Sequence, residues 1–168
     1  TSKQIVEQKL GKNKVEYSTA LQNLAALHQA QGQLDLALKM LEEAQTIDKV
    51  ILGEMHPQYA VLIQNLATVY QKTGRIQEAE MYLNSALKNY EYNFGKKHGS
   101  YATTIGNLAS LYQDENKWEQ AEGAWKESLA IRKELVGEEH PDYVRAQLGL
   151  AGLYHAQSKL DEAEDLYE

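Results

Sequence analysis

The chain contains no cysteine, which excludes disulfides, thiolate nucleophiles and cysteine-ligated zinc. Proline occurs only twice, each time directly after a histidine, at Pro57 and Pro141. There is no Asn-x-Ser/Thr sequon, and nothing near the N-terminal end resembles a signal peptide. The longest apolar runs fall far short of the roughly 20 residues a membrane-spanning helix needs. A basic stripe is also missing. Lys and Arg number 17 against 24 Asp and Glu, for a net charge of −7, whereas a general nucleic-acid binder needs clustered cations to replace phosphate counterions. These absences together lead us to expect an intracellular, cytoplasmic chain with neither a membrane nor a nucleic-acid partner.

What is present is helical. With 168 residues and 43% hydrophobic content, the chain has enough apolar surface for a real core. Abundant Ala, Leu, Gln and Glu favour helix and give little sign of sheet. Self-comparison then fixes the organisation. Tyr17, Tyr59, Tyr101 and Tyr143 lie 42 residues apart, as do Leu24, Leu66, Leu108 and Leu150 with the alanines that follow them. Ala37, Ala79, Ala121 and Ala163 keep the same spacing, and so do Gly11, Gly53, Gly95 and Gly137.

Each period reads as two amphipathic helices. In the second, Tyr59, Leu62, Ile63, Leu66, Val69 and Tyr70 follow 3- and 4-residue steps and predict a helix A. Ile76, Ala79, Tyr82, Leu83, Ala86, Leu87, Tyr90 and Phe94 predict a helix B that stops at Gly95. Gly32, Gly74 and Asn116 supply the left-handed residue that closes helix A, while Ser158 fits that place less well. Pro57 and Pro141 suit a first helical turn, where no amide donor is needed. The alanine columns sit where the two helices cross, and a hairpin of this kind needs stacked neighbours to bury its apolar face. The expected organisation is a single solenoid over 1–168: the end of a preceding helix B at 1–11, repeats at 15–53, 57–95 and 99–137, and a truncated repeat at 141–168. It reads as an excerpt of a longer array, whose uncapped ends offer surfaces for self-association.

These residues resemble the tetratricopeptide repeat. The family's pattern of a large residue, Leu, a small residue and Tyr on helix A is met by Ile63, Leu66, Ala67 and Tyr70, and again by Ile105, Leu108, Ala109 and Tyr112. Its helix-B pattern is met by Ala79 with Leu83 and by Ala121 with Trp125. The 42-residue length with a Gly-x-x-His-Pro connector is most similar to the long-repeat subgroup typified by the kinesin light chain. The resemblance implies an all-α fold, a right-handed α-solenoid of antiparallel helix pairs. Local departures are His28 for the first helix-A tyrosine, Gln147 for an apolar residue and Gly99 for the connector proline.

The resemblance further implies that helix A lines a concave groove holding a protein or peptide partner. The groove positions would be Thr19, Gln22, Asn23, Ala26 and Gln29 in the first repeat, and Val61, Gln64, Asn65, Thr68, Gln71 and Lys72 in the second. The third would offer Thr103, Asn107, Ser110, Gln113 and Asp114, and the fourth Arg145, Leu148, Gly149, Gly152 and His155. Steps of 3 and 4 place each set on one helical stripe. Asn23, Asn65 and Asn107 recur at the period, and an amide both donates and accepts, which suits the backbone of an extended peptide. Equally, each can bond a neighbouring helix or face water. Only Lys72 and Arg145 bring positive charge, so a clamp for a terminal carboxylate is not carried over. Nor are the tryptophan-acidic segments that the kinesin light chain reads. An extended, mostly neutral segment fits better.

No reaction chemistry emerges, and we expect neither an enzyme, nor a metal, nor a cofactor. His56, His98 and His140 recur at connectors about 20 Å apart (two helix layers of 8–10 Å), too far to share a metal, so a role in the turn is expected. His28 and His155 are lone helix residues. The segment 95–100 looks superficially like a phosphate loop, yet it follows a helix and aligns with the other connectors. Trp118 and Trp125, seven apart on one helix, read as core before ligand platform. The leading expectation is a protein-interaction scaffold. A regulatory module of a larger enzyme and a self-associating architectural array are the alternatives.

Overall fold

In a computed structural model of the chain, residues 3–4 and 14–167 are described. The expected end of a preceding helix B at 1–11 lies outside them but for Lys3 and Gln4, which are helical, and Gly11 lies outside altogether. The described helices are α1 (Val15–Ala30), α2 (Leu34–Ile51), α3 (Pro57–Lys72), α4 (Ile76–Phe94), α5 (Gly99–Asp114), α6 (Trp118–Val136), α7 (Pro141–Ala156) and α8 (Leu160–Tyr167). No described residue is in a strand, and the fold is an all-α helical repeat. None of these helices is long and apolar enough to cross a membrane. The chain divides into two compact units between Asn89 and Tyr90, within α4.

The same two turns are used throughout, and local chemistry explains both. Between helices A and B the chain passes through a left-handed residue: Gly32 (φ 72°), Gly74 (φ 76°), Asn116 (φ 58°) and Ser158 (φ 60°). The next residue's N–H then reaches back five positions, from Gln33 to His28 O and from Arg75 to Tyr70 O, both at 2.8 Å. Lys117 does the same to Tyr112 O at 2.8 Å and Lys159 to Tyr154 O at 2.9 Å, so every turn satisfies carbonyls that helix A leaves open. The side chain of that residue returns as well. Arg75 lies 4.3 Å over the ring of Tyr70, Lys117 5.6 Å over Tyr112 and Lys159 5.3 Å over Tyr154. His28, which departs from the tyrosine, instead meets Gln33 through Nδ1 and Oε1 at 2.5 Å.

Ser158 holds the left-handed conformation against the steric cost of its Cβ. Ser158→Gly should therefore stabilise the second unit by about 0.5–1 kcal/mol, since relief of that strain exceeds the entropy a glycine adds to the unfolded chain. An unchanged or lower urea midpoint would contradict this.

The second turn ends helix B and starts the next helix A. Gly53 (φ 82°), Gly95 (φ 77°) and Gly137 (φ 83°) all adopt positive φ. The connector histidines are then N-caps. Nδ1 of His56 accepts from Gln58 N–H at 3.2 Å, that of His98 from Ser100 N–H at 3.2 Å, and that of His140 from Asp142 N–H at 3.1 Å. The 95–100 segment is thus a capped connector. In the first unit, Asn89 ties helix B to the connector before its own hairpin, donating to Glu54 O at 2.8 Å and His56 O at 3.1 Å.

Inward-facing columns of both helices form the cores. Tyr17, Leu21, Ala25, Ala37 and Leu41 are fully buried in the first unit, with Leu62, Leu66 and Ala79. In the second, Ala121, Leu150 and Leu153 form a cluster against which Tyr112, Trp118, Trp125, Leu129, Tyr154 and Leu166 pack. The polar Gln147 is accommodated by donating to Leu166 O at 2.8 Å, satisfying a carbonyl near the end of α8.

Candidate functional site

The helix-B stripe packed toward helix A has four positions at steps of 4, 3 and 4. On α2 these are Ala37, Leu41 and Ala44, all fully buried, and then Asp48. On α4 they are Ala79, Leu83, Ala86 and Tyr90, and on α6 Ala121, Trp125, Ser128 and Arg132. The first three positions are small, large, small. The fourth is an acid, a phenol or a guanidinium, at relative exposures of 2%, 2% and 7%. A charge at a buried helix position is rarely kept without a partner or a purpose.

Asp48 lies at the floor of a cleft of about 150 Å³, walled by Val15, Thr19 and Gln22 of α1 and by Gln58 and Val61 of α3. Its partners there are weak. Gln22 Nε2 stands 3.5 Å from Asp48 Oδ2 and 3.5 Å from Ser18 Oγ, while Oδ1 has no hydrogen-bond partner among the described residues. Burial pushes the Asp48 carboxyl above the usual carboxylate range, and the Ser18 hydroxyl and the His56 imidazole pull it part of the way back.

Of the groove positions expected from the sequence, Thr19, Gln22 and Val61 therefore converge on one cleft. Thr19 itself is exposed, with its hydroxyl donating to Val15 O at 3.0 Å. Asn23 and Asn65 do not line the cleft: Asn23 is exposed and Asn65 half-buried. Ala26 and Lys72 are exposed, and Thr68 donates to Gln64 O at 3.1 Å.

In the second unit the equivalent floor residue is satisfied. Arg132 donates from Nη2 to Thr103 Oγ1 at 2.9 Å and from Nε to Ser128 Oγ at 3.3 Å, and its Nη1 lies 3.6 Å from Asp142 Oδ2. Burial holds the guanidinium below its ordinary pKa, with Asp142 opposing that shift and Arg145 adding to it. Thr103 also donates to Gly99 O at 2.9 Å. Arg145 is exposed and bonds Asp142 Oδ1 at 3.1 Å, so its charge is partly committed. Asn107 and Ser110 are half-buried on α5.

The asparagine column ends at Gly149 for a steric reason. A Cβ built there would stand 2.5 Å from both Cζ2 and Cη2 of Trp125, and one at Gly106 would stand 3.1 Å from its Cζ3. Trp125 occupies the stripe position held by Leu41 and Leu83 in the first two hairpins, and glycines receive its larger ring. Trp118 and Trp125 both pack on the core cluster, consistent with core ahead of platform. Among the described residues no three His, Asp or Glu side chains are placed to hold a metal ion.

Sequence reasoning confined to helix A misses the floor column. Its signal was nevertheless present: Asp48 and Arg132 stand one period-pair apart where the helical stripe calls for an apolar residue.

The hairpins, their left-handed turns and their alternating small and large columns agree with a family match. The profile of the tetratricopeptide repeat covers residues 1–49, 16–91 and 100–168. The chain belongs to the tetratricopeptide repeat family. Such repeats generally mediate contacts between proteins and typically serve as non-catalytic scaffolding. No curated protein matches this repeat chain. Among solved structures it is similar to BtubC (BKLC) from P. vanneervenii, with TM-score 0.82 and 26% identity, covering 95% of this chain and 64% of that one. It is also similar to a Podosopora anserina putative kinesin light chain with nearly identical TPR-like repeats, with TM-score 0.78 and 27% identity, covering 98% and 78% of the respective chains. MamA shares the fold, with TM-score 0.66 and 17% identity over 98% of this chain and 80% of its own. The tetratricopeptide chain thus spans about two thirds of BtubC and has kinesin-light-chain-like structural neighbours.

Proposed function

We propose that this tetratricopeptide chain is an intracellular interaction scaffold that holds an extended segment of a partner protein against its helix-A faces. The observation that carries this reading is the cleft shared by α1 and α3. Two successive helix-A faces, through Thr19, Gln22 and Val61, border one recess with a polar floor. Its volume of about 150 Å³ suits one side chain of a longer ligand and is well below the roughly 300–1,000 Å³ of a small-molecule pocket. On helix A of each unit, Asn65 in the first and Asn107 in the second supply amides suited to a partner's main chain. Gln64, Thr68, Lys72 and Ser110 complete the faces.

The test is affinity capture from lysate with the whole chain as bait, compared with the double variant Asn65→Ala, Asn107→Ala. The variant is expected to retain its helical content while losing at least about tenfold in captured partner, the loss of one or two hydrogen bonds. Capture unchanged by a folded double variant would overturn the groove reading.

A further inference from the structure

We infer that the Asp48 cleft is a subsite for a cationic side chain, lysine or arginine, carried by an extended peptide. This rests on the groove reading above and names the partner chemistry that the helix-A positions leave open. Three observations meet there. Asp48 is 2% exposed, and its Oδ1 is a buried acceptor with no hydrogen-bond partner among the described residues. Beside the Ser18 hydroxyl, the carboxylate meets Gln22 Nε2 at 3.5 Å, the limit of hydrogen bonding, and an incoming ammonium or guanidinium displaces that amide at little cost. The walls are of mixed character. Val15 and Val61 can cover an aliphatic stem while Thr19 and Gln58 stand at the rim, the arrangement a long cationic side chain needs.

Charge complementarity favours this occupant over the alternatives. An anionic side chain would meet a buried like charge, and an apolar one would leave Oδ1 unpaired. The chain's net charge of −7 also draws in a basic segment. The subsite is private to its repeat, because the same helix position holds Tyr90 and Arg132 in the next two. In the second unit Arg132 is already bonded to Thr103 and Ser128.

The probe is an end-capped alanine peptide with one central lysine, set against the same peptide with norleucine, which keeps the stem and removes the charge. Each is titrated into the whole chain at neutral pH and followed by NMR. The lysine peptide is expected to give saturable shifts at Val15, Gln22 and Val61, with norleucine at least about tenfold weaker. An arginine peptide should match lysine. Asp48→Asn should lower lysine to the norleucine level and leave norleucine unchanged. Gln22→Lys tethers an ammonium beside Asp48, so it should block the lysine peptide while raising the thermal midpoint.

Equal binding of lysine and norleucine overturns the subsite. So does a lysine preference that survives Asp48→Asn or Gln22→Lys. If both peptides shift Asn65 and Thr68 alike without discrimination, the groove reading stands and the subsite falls. If neither peptide shifts any helix-A residue, both fall.

Discussion

Gly149→Asn should lower the stability of the second unit by about 1–3 kcal/mol, the cost of forcing extra atoms into a packed site. The substitution looks benign from sequence alone, since it restores the residue found at 23, 65 and 107. Glycine inside a helix also costs about 1 kcal/mol relative to alanine, so α7 should by propensity gain from the change. Contact geometry reverses the sign. The new Cβ would meet Trp125 ring carbons at 2.5 Å, and a ring fixed in the core cluster cannot swing away as the tip of a flexible chain would. Trp125→Leu, which installs the residue of the first two hairpins, should therefore rescue Gly149→Asn. In a double-mutant cycle read by urea denaturation and far-ultraviolet ellipticity, the coupling should reach about 1 kcal/mol or more, favouring the double variant. Additivity within about 0.3–0.5 kcal/mol would show that ring and glycine do not constrain each other.

Leu153→Ala should cost about 2–5 kcal/mol, and Leu148→Ala on the same helix no more than about 0.5. Both leucines lie on α7 within six residues of each other. Leu153 is fully buried in the cluster with Ala121 and Leu150, whereas Leu148 is 50% exposed. Truncating the first leaves a cavity among side chains already fixed by their neighbours. Truncating the second removes surface that water already reaches. Both tryptophans of the chain, Trp118 and Trp125, lie in the second unit, so their fluorescence isolates its unfolding from that of the first. Similar losses in the two variants would mean that the helix face is misassigned.

The repeat's architecture was legible because its columns answer to constraints within one hairpin. A left-handed turn selects Gly32 and Gly74, a helix crossing selects Ala37 and Ala79, and spacing alone reveals both. The N-capping role of His56, His98 and His140 was readable only as some role in the turn, because it depends on a ring nitrogen accepting from a backbone N–H two residues on. What stayed hidden depends on contacts between helices far apart in sequence. Nothing local ties Trp125 to Gly149, or places Asp48 beneath Gln22 and Val61. The asparagine ladder shows the opposite hazard: it is conspicuous along the chain, yet Asn23 and Asn65 lie outside the lining of the one cleft to which their neighbours contribute.

The four-position stripe on helix B divides labour in a way that bears on how such arrays diversify. Its first three residues keep the hairpin closed, while the fourth accepts Asp48, Tyr90 or Arg132 under nearly the same burial. The chemistry at that depth thus changes from repeat to repeat while the small, large, small pattern above it stays the same. Duplicating or shuffling a 42-residue block carries its floor residue along as heritable cargo.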